Sequence, residues 1–246
     1  MLSKAIYSDM KKYKMQMHTH TSPCSKCGAM TPQELALALY NEGYAGAVLT
    51  NHFYGGNSGI DKSLSWEEFV GAYRKDYIEC TEAAKKYDLD IIFGVEEHLY
   101  GGKEILVFGV TPELIAAHPE LRERKIELWR EIVDSVGGLI VQAHPHRIRA
   151  YITDPGPLPL EYLDGIEVYN AANTPDGNIN AREFAREHPE LILTSGADTH
   201  STDTVACGGI AAYERIRDSE TLVRVLRSRK YDIIAPEDEP LEVTEG

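Results

Sequence analysis

Apolar residues along this chain fall into short runs separated by longer stretches with helical spacing. The first run, Met15-Gln16-Met17-His18-Thr19-His20, reads as a strand. Thr31 to Gly43 reads as a helix. Thr31 caps it, Pro32 takes the first helical position, Leu35, Ala38 and Leu39 share a face, and Gly43 stops it. Tyr44 to Thr50 is an apolar strand, followed at once by Asn51-His52 and then by a Gly-rich loop from Tyr54 to Gly59. Ser65 caps a second helix that reaches Tyr87. Strands follow at Asp90–Val95 and Glu104–Val110, a short helix at Thr111 and a longer one over Leu121–Val136, broken by Gly137-Gly138. Leu139–Ala143, Gly165–Asn170, Leu191–Ala197 and Gly208–Tyr213 are further strands. Helices are predicted over Asn178–His188 and Ser219–Arg229, and Tyr151–Leu163 is Pro-rich and irregular. Strand and helix alternate about seven times, which predicts an α/β parallel sheet, open or closed into a barrel. No linker divides the chain, so one domain is expected over 1–235, with a loose acidic tail over 236–246.

Polar residues break this pattern at one kind of place. His18, His20, His52, His144 and His200 sit at or just past the C-terminal ends of predicted strands, with His98 and His146 close by. Glu96 and Asp198 hold equivalent positions. His18 and His20, two residues apart on a strand, project from the same face. Alone, that pair is equally a hydrogen-bonded couple at a sheet edge. In a parallel barrel, however, all these ends meet on one rim. His118 and His188 make a useful contrast, since each precedes Pro-Glu-Leu at a helix end, where an imidazole can satisfy terminal carbonyls. Mixed His and carboxylate ligands suit Zn²⁺, Mn²⁺ or Fe²⁺. More than four of them imply more than one ion, an arrangement used for hydrolysis.

Composition narrows the partners. The 246 residues carry a net charge of −14, which argues against a footprint for extended nucleic acid while leaving a locally positive cleft for small anions. No apolar run approaches the length of a membrane helix and no signal-peptide pattern opens the chain, so a cytoplasmic protein with no membrane partner is expected. Four cysteines are too few for a disulfide framework, and Cys24-x-x-Cys27 has no second pair to complete a structural zinc site.

Taken in order, His18-Thr19-His20-Thr21, Thr50-Asn51-His52, Gly94-Val95-Glu96, Gln142-Ala143-His144-Pro145, Gly165-Ile166-Glu167-Val168-Tyr169-Asn170 and Ser195-Gly196-Ala197-Asp198-Thr199-His200 resemble the PHP (polymerase and histidinol phosphatase) family over nearly the whole chain. The resemblance implies a distorted (β/α)7 TIM-like barrel with two or three divalent metal ions at its rim. By that resemblance His18, His20, Glu96 and Asp198 hold one ion. Glu96 bridges to a second held by His144, and His52 and His200 belong to a third. Cys27 stands where another ligand of the third site is usual, and a free loop cysteine is the other reading. Asn51 replaces the usual Asp, and the strand Glu104–Gly109 lacks the usual histidine, leaving Glu104 or His98 to serve the second site. The expected activity is hydrolysis of a small phosphate ester, a monoester before a diester. Arg147 is expected to hold a phosphate oxygen or to be a surface cation. His146 is expected to protonate the leaving group or to support another residue. An amidohydrolase would carry a bridging lysine at a strand end, and none is present there. A non-catalytic metal-binding module is the third reading.

Overall fold

A computed structural model describes residues 11–236. The expected acidic tail falls almost entirely outside the described residues. One nine-stranded sheet runs in the order β7-β6-β5-β4-β3-β2-β1-β8-β9. Its strands are β1 (Tyr13–Thr19), β2 (Tyr44–Leu49), β3 (Asp90–His98), β4 (Glu104–Phe108), β5 (Leu139–Gln142), β6 (Gly165–Asn170), β7 (Ile192–Gly196), β8 (Gly209–Ala212) and β9 (Tyr231–Ile234). The helices are α1 (Pro32–Asn41), α2 (Trp66–Lys85), α3 (Pro112–Ala116), α4 (Ile126–Val136), α5 (Pro175–Glu187) and α6 (Ser219–Ser228). The sheet is nearly closed. Just past β7, the Thr199 amide donates to His18 O and its carbonyl accepts from the His20 amide, bridging back to β1. The lower half of β1 pairs instead with β8, antiparallel.

The architecture is therefore a distorted α/β barrel, with three departures from a sevenfold strand–helix alternation. β4 runs antiparallel to both β3 and β5, because only the tight turn after His98 separates it from β3. β9, four residues long and unanticipated, adds to β8. The predicted helix over Leu121–Val136 splits into a 3₁₀ turn (Pro119–Glu123) and α4, because Arg124 takes a left-handed conformation with φ of 51°. α5 also starts earlier than expected. Thr174 caps it and Pro175 takes its first position, while the Asn178 side chain exchanges hydrogen bonds with the Asn170 backbone.

Alternating strand positions feed one inner cluster and two outer ones, the second outer one joining Ala47, Leu49 and Ile91 to Leu35 and Leu39 of α1. Val48, Ile92, Leu106, Phe108 and Val141 join Met15 and Met17 in one cluster with α6 residues Leu222, Val225 and Leu226. Their neighbours of opposite parity, Phe93, Val95, Ile105, Val107 and Ile140, join α2 and α4 residues in another. Glu96, four residues beyond Ile92, and Glu104, two before Leu106, fall on the face of the first cluster. The barrel interior is thus apolar below and polar at the rim. Phe53 anchors the outer core edge-on to Trp66, Phe69, Tyr73 and Trp129, with ring centroids 5.1–5.9 Å apart. Phe53→Ala is expected to cost about 3–5 kcal/mol in denaturant unfolding. A loss under ~1 kcal/mol would show that this aromatic cluster does not hold the barrel wall.

Candidate metal centre

The rim gathers residues far apart in sequence. The isolated bridge between His52 and Glu96 zips the ends of β2 and β3, where the Phe53 amide donates to Glu96 O and the Glu96 amide to Asn51 O. Glu96 then faces His18 Nε2 at 3.0 Å, His52 Nδ1 at 2.6 Å, His144 Nε2 at 3.1 Å and His20 Nε2 at 3.5 Å. Asp198 Oδ1 lies 3.2 Å from His20 Nε2 and 3.5 Å from His18 Nε2. His200 stacks on His20 at 4.3 Å. Cys27 Sγ sits 3.1 Å from the Nε2 atoms of both His52 and His200. All eight side chains expected to bind metal thus meet in one place. His118 and His188 pair locally with Glu120 and Glu190 instead.

Four overlapping groups offer ligand atoms within 4.8 Å of one another: His18/His20/Glu96, His18/His144/Asp198, His52/Glu96/Glu104 and His20/His52/His200. A cation fits them for a physical reason. His18 Nε2, His20 Nε2, His52 Nδ1 and Glu96 Oε2 are buried, converge on one another, and make no hydrogen bond. Buried polar atoms are rarely left so. The outer nitrogens, by contrast, are engaged: His18 Nδ1 with Glu167, His20 Nδ1 with Ser25 Oγ, and His200 Nδ1 with Asp198 O. Fixing one imidazole nitrogen from outside while leaving the other bare is how metal-binding histidines are oriented.

Electrostatics show the same crowding. Burial alone would keep the His18 imidazole neutral, but Glu167, Asp198 and Glu96 hold its pKa well above the ordinary value. Burial with His52 and His200 nearby drives His20 down to about 3. Burial would raise the Glu96 carboxyl, yet His52 and His18 hold it well below the usual carboxylate range. Burial would likewise raise the Cys27 thiol, but hydrogen bonds to His200 and His52 bring it down to about 6. His144 and Asp198 also adopt positive φ, 27° and 51°. Such backbone costs about 1–3 kcal/mol each and collects at functional sites.

Of the two residues the sequence leaves open for the second site, Glu104 is the one that meets His144, while the sequence assigns no role to Glu167. Glu104 starts β4, and because β4 runs backwards its first residue, not its last, reaches the rim. There Oε2 meets His144 Nε2 at 3.3 Å and Oε1 meets His98 Nδ1 at 3.2 Å. Glu167 takes the His144 amide and the Asn170 side-chain amide on Oε2 while Oε1 holds His18. Its signal was a carboxylate inside an otherwise apolar strand. A Cβ on Gly196 would overlap Glu167 Oε1 and His18 Cβ, so only glycine leaves room for that pair. Asn51 is not among the clustered ligand atoms. Its Oδ1 accepts from Ser25 Oγ and the Thr21 amide, and its Nδ2 donates to buried Asp76.

The two expected catalytic residues diverge. Arg147 is buried, and its Nη2 donates to Asp198 Oδ2 at 2.7 Å and Asn170 Oδ1 at 3.1 Å, so it is no loose surface cation. His146 does not line the cavity above the ligands: its ring lies 6.5 Å from Phe184 on α5, and it borders a small neighbouring cavity with Glu104, His144 and Arg147. That cavity, about 590 Å³, is bounded by Cys27, His52, Asp198 and His200 below, and by Gly55–Asn57, His98, Arg147, Arg149 and Tyr151 around its mouth.

No protein-family model matches the sequence, and no curated protein does. Solved structures match the fold. A protein from Bifidobacterium adolescentis assigned as a metal-dependent phosphoesterase superposes with a TM-score of 0.56 at 16% identity, over 89% of this chain and 97% of that one. A two-domain protein from Bacteroides vulgatus containing a PHP-like metal-dependent phosphoesterase by assignment gives 0.67 at 16%, over 93% and 66%. The lesion-specific endonuclease EndoQ from Pyrococcus furiosus gives 0.60 at 12%, over 90% and 57%. The chain therefore spans about two thirds of the second and little over half of the third. It has the fold of PHP-like metal-dependent phosphoesterases. No helix among the described residues is long and apolar enough to cross a membrane.

Proposed function

We propose that this protein is a metal-dependent phosphoesterase that hydrolyses a small phosphate ester, a monoester in preference to a diester, in the cytoplasm. The observation that carries the reading is the set of buried, inward-facing imidazole and carboxylate atoms without hydrogen bonds. His18, His20, Glu96 and Asp198 would hold one ion, with Glu96, His144 and Glu104 serving a second and His52, His200 and Cys27 a third. Imidazole with carboxylate and one thiolate favours Zn²⁺, Mn²⁺ or Fe²⁺. When bound, such ions lower the pKa of water and neutralise phosphoryl oxygens.

The remaining chemistry belongs to the chain. Arg147 holds Asp198 Oδ2, leaving Oδ1 toward His18 and His20, and so acts through Asp198 as a positioning residue. Glu167 orients His18, and Ser25 with Asn51 orients His20. Protonation of the leaving oxygen is better supported for His98 than for His146, because His98 lines the cavity and Glu104 fixes its Nδ1, leaving Nε2 to hold the proton. The net charge of −14 supports a small ester over a long polyanion.

The test is hydrolysis of 4-nitrophenyl phosphate by protein loaded with Mn²⁺ or Zn²⁺, alongside a panel of amides and lactones. Turnover of the phosphate ester alone is expected. Amide turnover without phosphatase activity would favour an amidohydrolase, and no turnover of any kind by folded protein would favour a non-catalytic module. Glu167→Gln keeps the shape but weakens the anchor on His18, and is expected to lower metal affinity about 10–100-fold in competition with a chromophoric chelator. Unchanged affinity would remove Glu167 from the centre.

A further inference from the structure

The middle of α2 carries an acid that touches none of the clustered ligands. Asp76 is buried, and its Oδ1 makes no hydrogen bond. Its Oδ2 accepts from Thr21 Oγ1 at 2.6 Å and from Asn51 Nδ2 at 2.7 Å, and Cys80 Sγ lies 4.0 Å away. Tyr73, three residues earlier on the same face of α2, donates its hydroxyl to Asn51 O at 2.6 Å. One helix thus holds both the backbone and the side chain of Asn51, just past β2. A carboxyl group taken out of water with one oxygen bare is costly to keep. Burial pushes this one above its ordinary value, against the pull of the Thr21 and Asn51 hydrogen bonds. Ionised, or protonated on Oδ1, it still presents Oδ2 as an acceptor only.

The donors and acceptors between Asp76 and the centre allow one arrangement. Asn51 turns Nδ2 to Asp76, which leaves Oδ1 to accept from the Thr21 amide and from Ser25 Oγ, both at 2.8 Å. A flipped amide would set oxygen against oxygen at Asp76 and N–H against N–H at Thr21. The Ser25 hydroxyl has one hydrogen and two lone pairs. Its hydrogen goes to Asn51. One lone pair takes the His52 amide at 3.0 Å, and the other faces His20 Nδ1 at 3.2 Å. His20 Nδ1 therefore carries the ring hydrogen, and Nε2 has none. That Nε2 is the buried atom without a hydrogen bond that faces Glu96 and Asp198. Thr21, Ser25 and Asn51 are buried too, so solvent offers them no substitute partners.

We propose that Asp76 is a positioning residue of the centre: through Asn51 and Ser25 it fixes His20 in the tautomer protonated on Nδ1, with Nε2 free for an ion. This rests on the metal-binding part of the phosphoesterase reading, and its test needs no hydrolysis.

The test combines nitrogen NMR of the His20 ring in the metal-free protein with Zn²⁺ affinity in competition with a chromophoric chelator. The wild-type ring is expected to carry its hydrogen on Nδ1. Asp76→Leu, which removes the acceptor, should mix the two tautomers and weaken Zn²⁺ binding about tenfold. Asp76→Asn, whose amide oxygen can stand in for Oδ2, should restore both readouts. Asn51→Leu cuts the same chain one link nearer the centre and should reproduce the Asp76→Leu result, which covers the case in which that variant does not fold. Asp76→Leu combined with Ser25→Ala should lose no more affinity than Ser25→Ala alone, because both break one chain of contacts. A side chain that merely braced α2 would add a loss of its own. A wild-type ring protonated on Nε2, an Asp76→Leu protein with tautomer and affinity unchanged, or additive losses in the double variant would overturn the role of Asp76 while leaving the phosphoesterase reading intact. Wild-type protein that binds no Zn²⁺ at all would overturn both.

Discussion

Glu96→Gln is expected to reduce kcat/KM for a phosphate ester on the order of 10³-fold while the protein stays folded. Glu96 is the hub of the centre, within 3.5 Å of nitrogens from His18, His20, His52 and His144. A neutral amide has the same shape but offers one oxygen, not two, and no charge. It would serve a second ion poorly, and the imidazoles around it lose the anion that organises them. The loss is expected mainly in kcat, because the stabilisation removed is that of charge developing on the phosphoryl oxygens. Steady-state kinetics at saturating metal checks this. A change under about threefold would show that Glu96 is not at the reacting centre.

The second large effect is on stability. An ion that binds only the folded chain at a thousandfold excess over its dissociation constant adds about 4 kcal/mol per site. For a domain of this size that is a rise in Tm of about 8–16 °C. Zn²⁺ or Mn²⁺ should produce such a shift in calorimetry, and chelation should reverse it. The chelated protein should still unfold cooperatively, because the apolar clusters below and outside the rim contain none of the proposed ligands. The absence of any shift with Zn²⁺, Mn²⁺ and Fe²⁺ would contradict a resident metal.

Much of this architecture can be read from the chain because strand ends carry a positional signal. Apolar runs marked eight of the nine strands, and histidines and acids beyond their C-terminal ends had to share a rim once the sheet curved. What escaped depended on direction and on partners. β4 reads as one more parallel strand, which leaves Glu104 and His98 as equal candidates; its antiparallel sense is what brings Glu104, its first residue, to the rim. β9 is too short to announce itself and lies against β8. Glu167 and Asn51 work through contacts with His18 and Ser25, which spacing along the chain does not encode. His146 follows the rim closely in sequence, yet the positive φ at His144 and at His146 turns the chain, and the imidazole ends against Phe184.

Anomalous diffraction from metal-loaded crystals, collected across the Zn, Fe and Mn edges, addresses the central claim most directly. Two or three peaks are predicted, each in contact with His18, His20, Glu96, His144, Asp198 or His200, with Glu96 touching two of them. Peaks elsewhere on the surface, with that cluster of imidazoles and carboxylates bare at saturating metal, would contradict it.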